Sequence, residues 1–353
     1  MHRHVDALAR RRPVAAALVT AALAAGLLSA CYHAETPATS TTSGPAGTYV
    51  PAGFPVTVTH KYGTTEITDV PQRVVAAGFR DQEYMLALGM VPVGIRDWYG
   101  PEHPYEQWPW VGPALGGKPA PEIHSGFDEL NLEKIAALRP DLITTVYSDV
   151  SKEVYDQLSK IAPTVAQGAG AEDFTMSWQD ETKLIGQSLG RAKQADELIA
   201  STEKSFTDAA AAHPEFKGKT IGVLQFGDPG KFYVLNPTDP KARFFTDLGF
   251  TVPDSLVQLV GSESNKEVSF ERLDLLADLD LVVWLSGEDP DSKALEDGVN
   301  NDQLYQSLKS VKEGRDIFLT KGSDALAWGS PLSLPSALTD IVPQLTPALD
   351  GKP

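Results

Sequence analysis

One cysteine, four methionines and seven histidines are all the soft and imidazole ligands in a chain of 353 residues. A lone cysteine excludes an intrachain disulfide and any iron–sulfur cluster held by several thiolates. The histidines that follow the first thirty residues are His33, His60, His103, His124 and His213. None forms a close pair such as His-x-x-x-His, so no direct metal site is expected, although a scattered trio could still converge in the fold. Basic residues are also in deficit: 30 Lys and Arg stand against 47 Asp and Glu, for a net charge of −17. That balance argues against nucleic acid and against anionic lipid surfaces as partners. No nucleophile elbow, phosphate-cradling Gly-x-x-x-x-Gly-Lys-Ser/Thr loop or metalloprotease helix is expected. The reading is therefore of a protein that is not an enzyme, with a lipid-anchored hydrolase as the alternative of a different class.

What is present begins with an address. Arg3, Arg10, Arg11 and Arg12 precede the apolar run Val14 to Leu28, which is too short for a membrane span of about 20 residues and suits a signal peptide. Leu28-Ser29-Ala30-Cys31 closes it and resembles a bacterial lipobox, whose cysteine is acylated and becomes the new N-terminus. Two acyl chains hold a protein on a membrane where one gives only marginal binding. The expected location is the extracytoplasmic face of the cell membrane, in the periplasm or cell envelope. Residues 1–30 carry four arginines and one aspartate, so the chain beyond them has a net charge of −20. Residues 31–50 then form the tether: Tyr32 to Tyr49 is rich in Thr, Ser, Pro, Ala and Gly with one charged side chain, Glu35. As a flexible coil it spans about 23 Å on average.

Beyond the tether, about 300 residues suggest two domains of roughly 150. Arg73 to Ala77 reads as a strand, Gly78 to Asp81 as a loop, Glu83 to Leu88 as a helix capped by Gly89, and Val91 to Ile95 as a second strand. Asn131 opens a helix that stops before Pro140 and yields to the strand Leu142 to Val146. After Lys219 the order recurs, with strand Thr220 to Gln225, a loop containing Gly227, Pro229 and Gly230, and helix Arg243 to Leu248. Asn131-Leu132-Glu133-Lys134-Ile135 is answered by Ser269-Phe270-Glu271-Arg272-Leu273, and Asp141-Leu142 by Asp280-Leu281. This alternation predicts two related α/β lobes, residues 51–171 and 215–353, with mainly parallel sheets. The stretch 172–214 lacks proline before Pro214 and carries apolar residues at helical spacing, which favours a long connecting helix; Gly186 and Gly190 are where a kink or break would fall.

From about Val56 to Leu349 the chain resembles the helical-backbone (class III) solute-binding proteins that deliver ferric siderophores, haem or cobalamin to ATP-driven importers. The residues that carry the likeness are Pro71 to Val75, Leu88 to Gly94, Asn131 to Ile135, Pro140 to Ile143, Ile161 to Thr164 and Ser333 to Pro335. The resemblance implies two Rossmann-like lobes joined by a backbone helix, a ligand cleft between them, and docking of one glutamate per lobe, Glu133 and Glu271, onto permease arginines. By themselves, both glutamates also read as acidic residues complementing a helix dipole. Candidate cleft residues follow the strands: Arg80, Arg96, Trp98, Tyr99 and Tyr147 in the first lobe, Phe226, Tyr233, Arg243, Trp284 and Trp328 in the second. Aromatic rings offer rigid contact area and arginines pair with anionic oxygens. Trp108 and Trp110 read as a packed loop or a lip over the cleft. A ferric siderophore is the expected cargo of a monomer that keeps no cofactor of its own. Haem, with Tyr147, Tyr233 or a histidine as axial ligand, and cobalamin stay open.

Overall fold

Alternating strand and helix signals resolve into two separate five-stranded sheets. A computed structural model of the protein describes residues 53–228, 230–287 and 290–352. The leader, Cys31 and the tether lie outside the described residues. An antiparallel hairpin, β1 (Val56–His60) and β2 (Gly63–Ile67), comes first, and the sequence reading did not anticipate it. Its inward positions Val58, His60, Thr65 and Ile67 alternate as one face of a half-buried ribbon should.

The first lobe holds β3 (Val74–Ala76), β4 (Gly94–Arg96), β5 (Glu122–Ser125), β6 (Leu142–Thr145) and β7 (Thr164–Ala166), in the order β5-β4-β3-β6-β7 with every pair parallel. β3 and β6 are buried at every residue, as strands covered on both faces must be. The apolar run from Val91 pairs only from Gly94 onward, because Pro92 has no N–H to give a ladder. Helix Asp81–Ala87 follows β3 and ends at Gly89, whose φ of +80° suits a residue without Cβ. Asn131 caps helix Leu132–Ala137, its Oδ1 accepting from Lys134 N at 3.0 Å.

The second lobe holds β8 (Ile221–Phe226), β9 (Lys231–Leu235), β10 (Asn265–Ser269), β11 (Leu281–Leu285) and β12 (Asp316–Leu319), ordered β10-β9-β8-β11-β12. Here the repeat is inexact. β9 returns antiparallel to β8 across the loop at Gly227 to Gly230 and also pairs antiparallel with β10. One device does recur in both lobes. Asp141, at the entry to β6, accepts from the N–H groups of Gln72 and Arg73 at 2.7 and 2.9 Å, and Asp280, at the entry to β11, accepts from Thr220 N at 2.9 Å. Each carboxylate clamps the start of its lobe's first strand to the next parallel strand.

The connector is two helices rather than one. Trp178–Ser188, capped by Ser177, ends where Gly190 takes φ +67°, and Ala192–Ala212 then runs 21 residues, about 32 Å. Gly186 permits the fold-back, since a Cβ there would lie 2.5 Å from Ala195 Cβ. The long backbone helix packs against the C-terminal helix Leu334–Leu349. One continuous apolar core runs through both lobes.

Candidate functional site

The C-terminal ends of the first lobe's strands converge on a cavity of about 520 Å³. Phe79 follows β3, Arg96 and Trp98 close β4, Phe127 and Asp128 follow β5, and Tyr147 and Asp149 follow β6. The facing wall comes from the second lobe: Gln225 at the end of β8, Lys241 on helix Pro240–Asp247 and Ala327 on helix Ser323–Trp328. Phe174, from the segment between the lobes, completes the rim. Open α/β sheets leave their crevice at strand carboxyl ends, and the volume falls in the range of roughly 300–1,000 Å³ of small-molecule sites. A smaller cavity of about 260 Å³ shares Gln225, Lys241 and Ala327 and extends past Phe226 and Ser286 into the second lobe.

Buried polar groups hold this wall in shape. The Asp81 carboxylate accepts from Thr144 Oγ1, Val146 N and Tyr147 N at 2.6, 2.9 and 3.0 Å, which fixes the exit of β6 and presents Tyr147. Gly78 makes room for it, since a Cβ there would sit 2.2 Å from Asp81 Oδ1. The Arg96 guanidinium lies 3.7 Å over the Phe79 ring. Its Nε and Nη2 donate to the carbonyl oxygens of Gly126, Phe127 and Asp128. Phe174 adopts φ +63°, a conformation that costs a side-chain-bearing residue roughly 1–2 kcal/mol, and its ring meets Tyr147 edge-on at 5.1 Å. Phe127, 65% exposed, stands at the mouth against Phe79.

The structure divides the candidate residues. Arg96, Trp98 and Tyr147 line the larger cavity and Phe226 the smaller one. Arg80 does not belong to the wall: it is 1% exposed and forms a bidentate pair with Glu181 at 2.6 and 3.1 Å, under the Tyr147 ring. Burial opposes charge on both partners, lowering Arg80 and raising Glu181, but Glu181 together with Tyr84 and Tyr147 more than offsets this for Arg80 and keeps the guanidinium protonated. Trp284 is a core residue of a strand buried at every position, its Nε1 donating to Tyr305 Oη at 3.0 Å. Tyr233 sits in the middle of β9, paired opposite Gln225 and Glu267, and lines neither cavity. Arg243 points elsewhere because its helix begins at Pro240, three residues earlier than the reading. Two positions along, at about 100° per residue, place it on the opposite side from Lys241. Trp328 is buried behind the wall, ringed by Trp98, Tyr99, Tyr105 and Trp108, while its neighbour Ala327 reaches the cavity. Tyr99 stacks on Trp328 and donates across the lobes to Asp324 at 3.4 Å. Trp108 and Trp110 stack on each other at 5.5 Å as a packed loop.

Sequence reasoning missed Phe79, Phe127, Phe174 and Lys241. For Lys241 a signal existed, since Asp239 as N-cap and Pro240 at the first helical position mark a helix start. Glu133 and Glu271 are both exposed, one per lobe. Glu271, however, lies in a 3-10 segment, Phe270–Leu276, interrupted at Arg272, so the helix-dipole argument applies to Glu133 far better than to Glu271.

One pentapeptide, Gly186-Gln187-Ser188-Leu189-Gly190, does spell Gly-x-Ser-x-Gly, contrary to the expectation that no such elbow is present. It sits at a helix C-terminus rather than a strand-to-helix turn, and Ser188 is buried with Oγ donating to Leu184 O at 2.7 Å. It is therefore no nucleophile. Among the described residues no three His, Cys, Asp or Glu side chains converge as a metal site.

Known proteins share this arrangement. The chain is 29% identical over 304 residues to the probable siderophore-binding lipoprotein YfiY of Bacillus subtilis, covering 83% of this chain and 86% of that one. Among solved structures, a periplasmic solute-binding protein of Mycobacterium smegmatis superposes with TM-score 0.73 at 32% identity, covering 84% of this chain and 99% of its own. PiaA of Streptococcus pneumoniae, solved in complex with ferrichrome, gives TM-score 0.73 at 29% identity, with 84% and 99% covered. The family model described as periplasmic binding protein matches residues 96–322, and with two α/β lobes enclosing a cavity at their strand ends, the chain belongs to that family of solute-binding proteins.

Proposed function

We propose that the protein captures a ferric siderophore in the interlobe cleft and hands it to an ABC-type permease, as a monomer held on the extracytoplasmic face by acyl chains on Cys31. The observation that carries this reading is the cavity itself, walled by aromatic rings from strand ends and closed by residues of both lobes. Iron whose coordination is already filled by chelator oxygens needs aromatic faces and a few hydrogen-bond donors, which is what this cleft offers. The siderophore-binding name of the Bacillus relative and the ferrichrome in the pneumococcal structure support it. No cofactor is needed, since the iron arrives as part of the cargo and no bond changes.

Delivery is assigned to Glu133 and Glu271. Both are exposed, one on each lobe, so a permease offering two arginines would read their spacing through charge-assisted pairs.

Titrating the purified protein with ferric chelates, haem and cobalamin while following tryptophan fluorescence tests capture, because Trp98 lies on the cavity wall. Saturable quenching by at least one ferric chelate is expected, and silence toward every chelate would overturn the assignment. The E133A/E271A variant should bind as the wild type does and lose uptake in cells.

A further inference from the structure

The charges around the cleft choose among iron chelates. Among the described lining residues of the larger cavity, the cations are Arg96 and Lys241, set against the carboxylates of Asp128 and Asp149 on the same wall. Lys241 Nζ lies 3.6 Å from the buried Asp239 carboxylate. Arg96 shares the wall with Asp128 and Asp149, whose fields both act on it. Two of its nitrogens are occupied by three backbone carbonyls, which leaves Nη1 as the one without an acceptor among the described residues. The next arginine, Arg80, is closed by Glu181. A ligand entering here meets five aromatic side chains, one guanidinium nitrogen, the Lys241 ammonium already paired with Asp239, and two carboxylates, on a chain whose net charge is −17.

Ferric chelates differ in charge by the chemistry of their donors. Three singly charged hydroxamates cancel the ferric charge, whereas three doubly charged catecholates leave a trianion, and citrate complexes are anionic as well. A trianion would need an excess of cations to offset its desolvation, and this wall has none to spare. We infer that the cleft selects ferric chelates without net negative charge, of the trishydroxamate type, and rejects triscatecholates through Asp128 and Asp149. The inference rests on the siderophore reading and narrows it.

The probes are ferrichrome, ferric enterobactin and ferric citrate, titrated by tryptophan quenching at low and at high salt. Ferrichrome should bind at least about tenfold more tightly than the other two. Its affinity should not move with salt, while any binding of ferric enterobactin should strengthen as salt screens the carboxylates. Both aspartates are exposed, so the D128N/D149N variant should fold normally. It should raise ferric enterobactin affinity severalfold and so narrow the preference for ferrichrome. Equal or tighter binding of the triscatecholate to the wild-type protein, or no response of its affinity to D128N/D149N, overturns the inference and leaves siderophore capture standing. Failure of every chelate to bind overturns both.

Discussion

Arg80 and Arg96 follow neighbouring strands and meet opposite fates, because one is reached by a carboxylate from the connector and the other is not. Replacing Arg80 by alanine strands the fully buried Glu181, so R80A should destabilise the fold by about 3–5 kcal/mol in urea denaturation, and the R80M/E181L pair should recover most of that loss. Arg96→Ala should instead weaken ferric-chelate binding. A third buried group gives the protein a pH signature. Burial outweighs the hydrogen bonds that Tyr105 and Ser330 donate to Glu83 and pushes its carboxyl from 4.5 up to about 7. Between those values the folded state holds a proton that the unfolded chain has released. Stability from this group is therefore complete below about pH 4.5 and lost as the pH rises through 7. His124 works in the other direction: burial lowers it from 6.5 to about 4, so its contribution is present above 6.5 and lost on acidification. Denaturation midpoints measured from pH 4 to 8 should fall less steeply toward alkaline pH in E83Q than in the wild type. Identical slopes would place the Glu83 titration elsewhere.

At the scale of elements, glycines decided what periodicity could not. The apolar spacing of the connector is continuous enough to suggest one helix, but Gly190 at φ +67° turns the chain and Gly186 lets the two helices touch. Gly186→Ala would drive a methyl against Ala195 and should cost about 1–3 kcal/mol, read as a lowered denaturation midpoint with the same slope. The break serves the site, since it sends helix Trp178–Ser188 back over the first lobe, where it delivers Glu181 to Arg80. β9 was lost to the reading for a related reason. Lys231 to Leu235 is β-prone, but only its pairing to β8 and β10 shows that this lobe inserts an antiparallel strand where the first lobe has none. The paired motifs at Asn131 and Ser269 were legible as caps because capping is local chemistry.

For the whole molecule, the seam between lobes limits how far the cleft can open. Arg80 donates to Trp328 O at 3.3 Å, Ser330 Oγ to Glu83 at 2.9 Å, and Tyr99 to Asp324, so three first-lobe side chains bond across to the second lobe behind the cavity. Trp328 packs into the same seam, and W328A should cost about 3–5 kcal/mol and loosen the lobes together. With the seam intact, ligand binding should shift the interface backbone by no more than about 1 Å, and small-angle scattering with and without ferric chelate should give closely matching radii of gyration. A large contraction on binding would show that the seam yields.

By itself the sequence determined the two-lobed plan, the central strands β3, β4, β6 and β8, the caps at Asn131 and Ser269 and the family, because hydrophobic period, cap chemistry and motif order are local properties that survive in one dimension. Of the residues it named past the first lobe's parallel strands, Arg96, Trp98 and Tyr147 line the cavity and Arg80 does not, so a place at a strand end brings a side chain to the crevice without choosing its partner. Only the tertiary structure decided which charges reach the ligand. Arg80 and Trp284 carry the same side chains as the cavity-lining Arg96 and Trp98, but their partners, Glu181 and Tyr305, come from elements distant in sequence. Whether a guanidinium is spent on its own protein or kept for a ligand depends on those long-range neighbours, which local pattern does not encode.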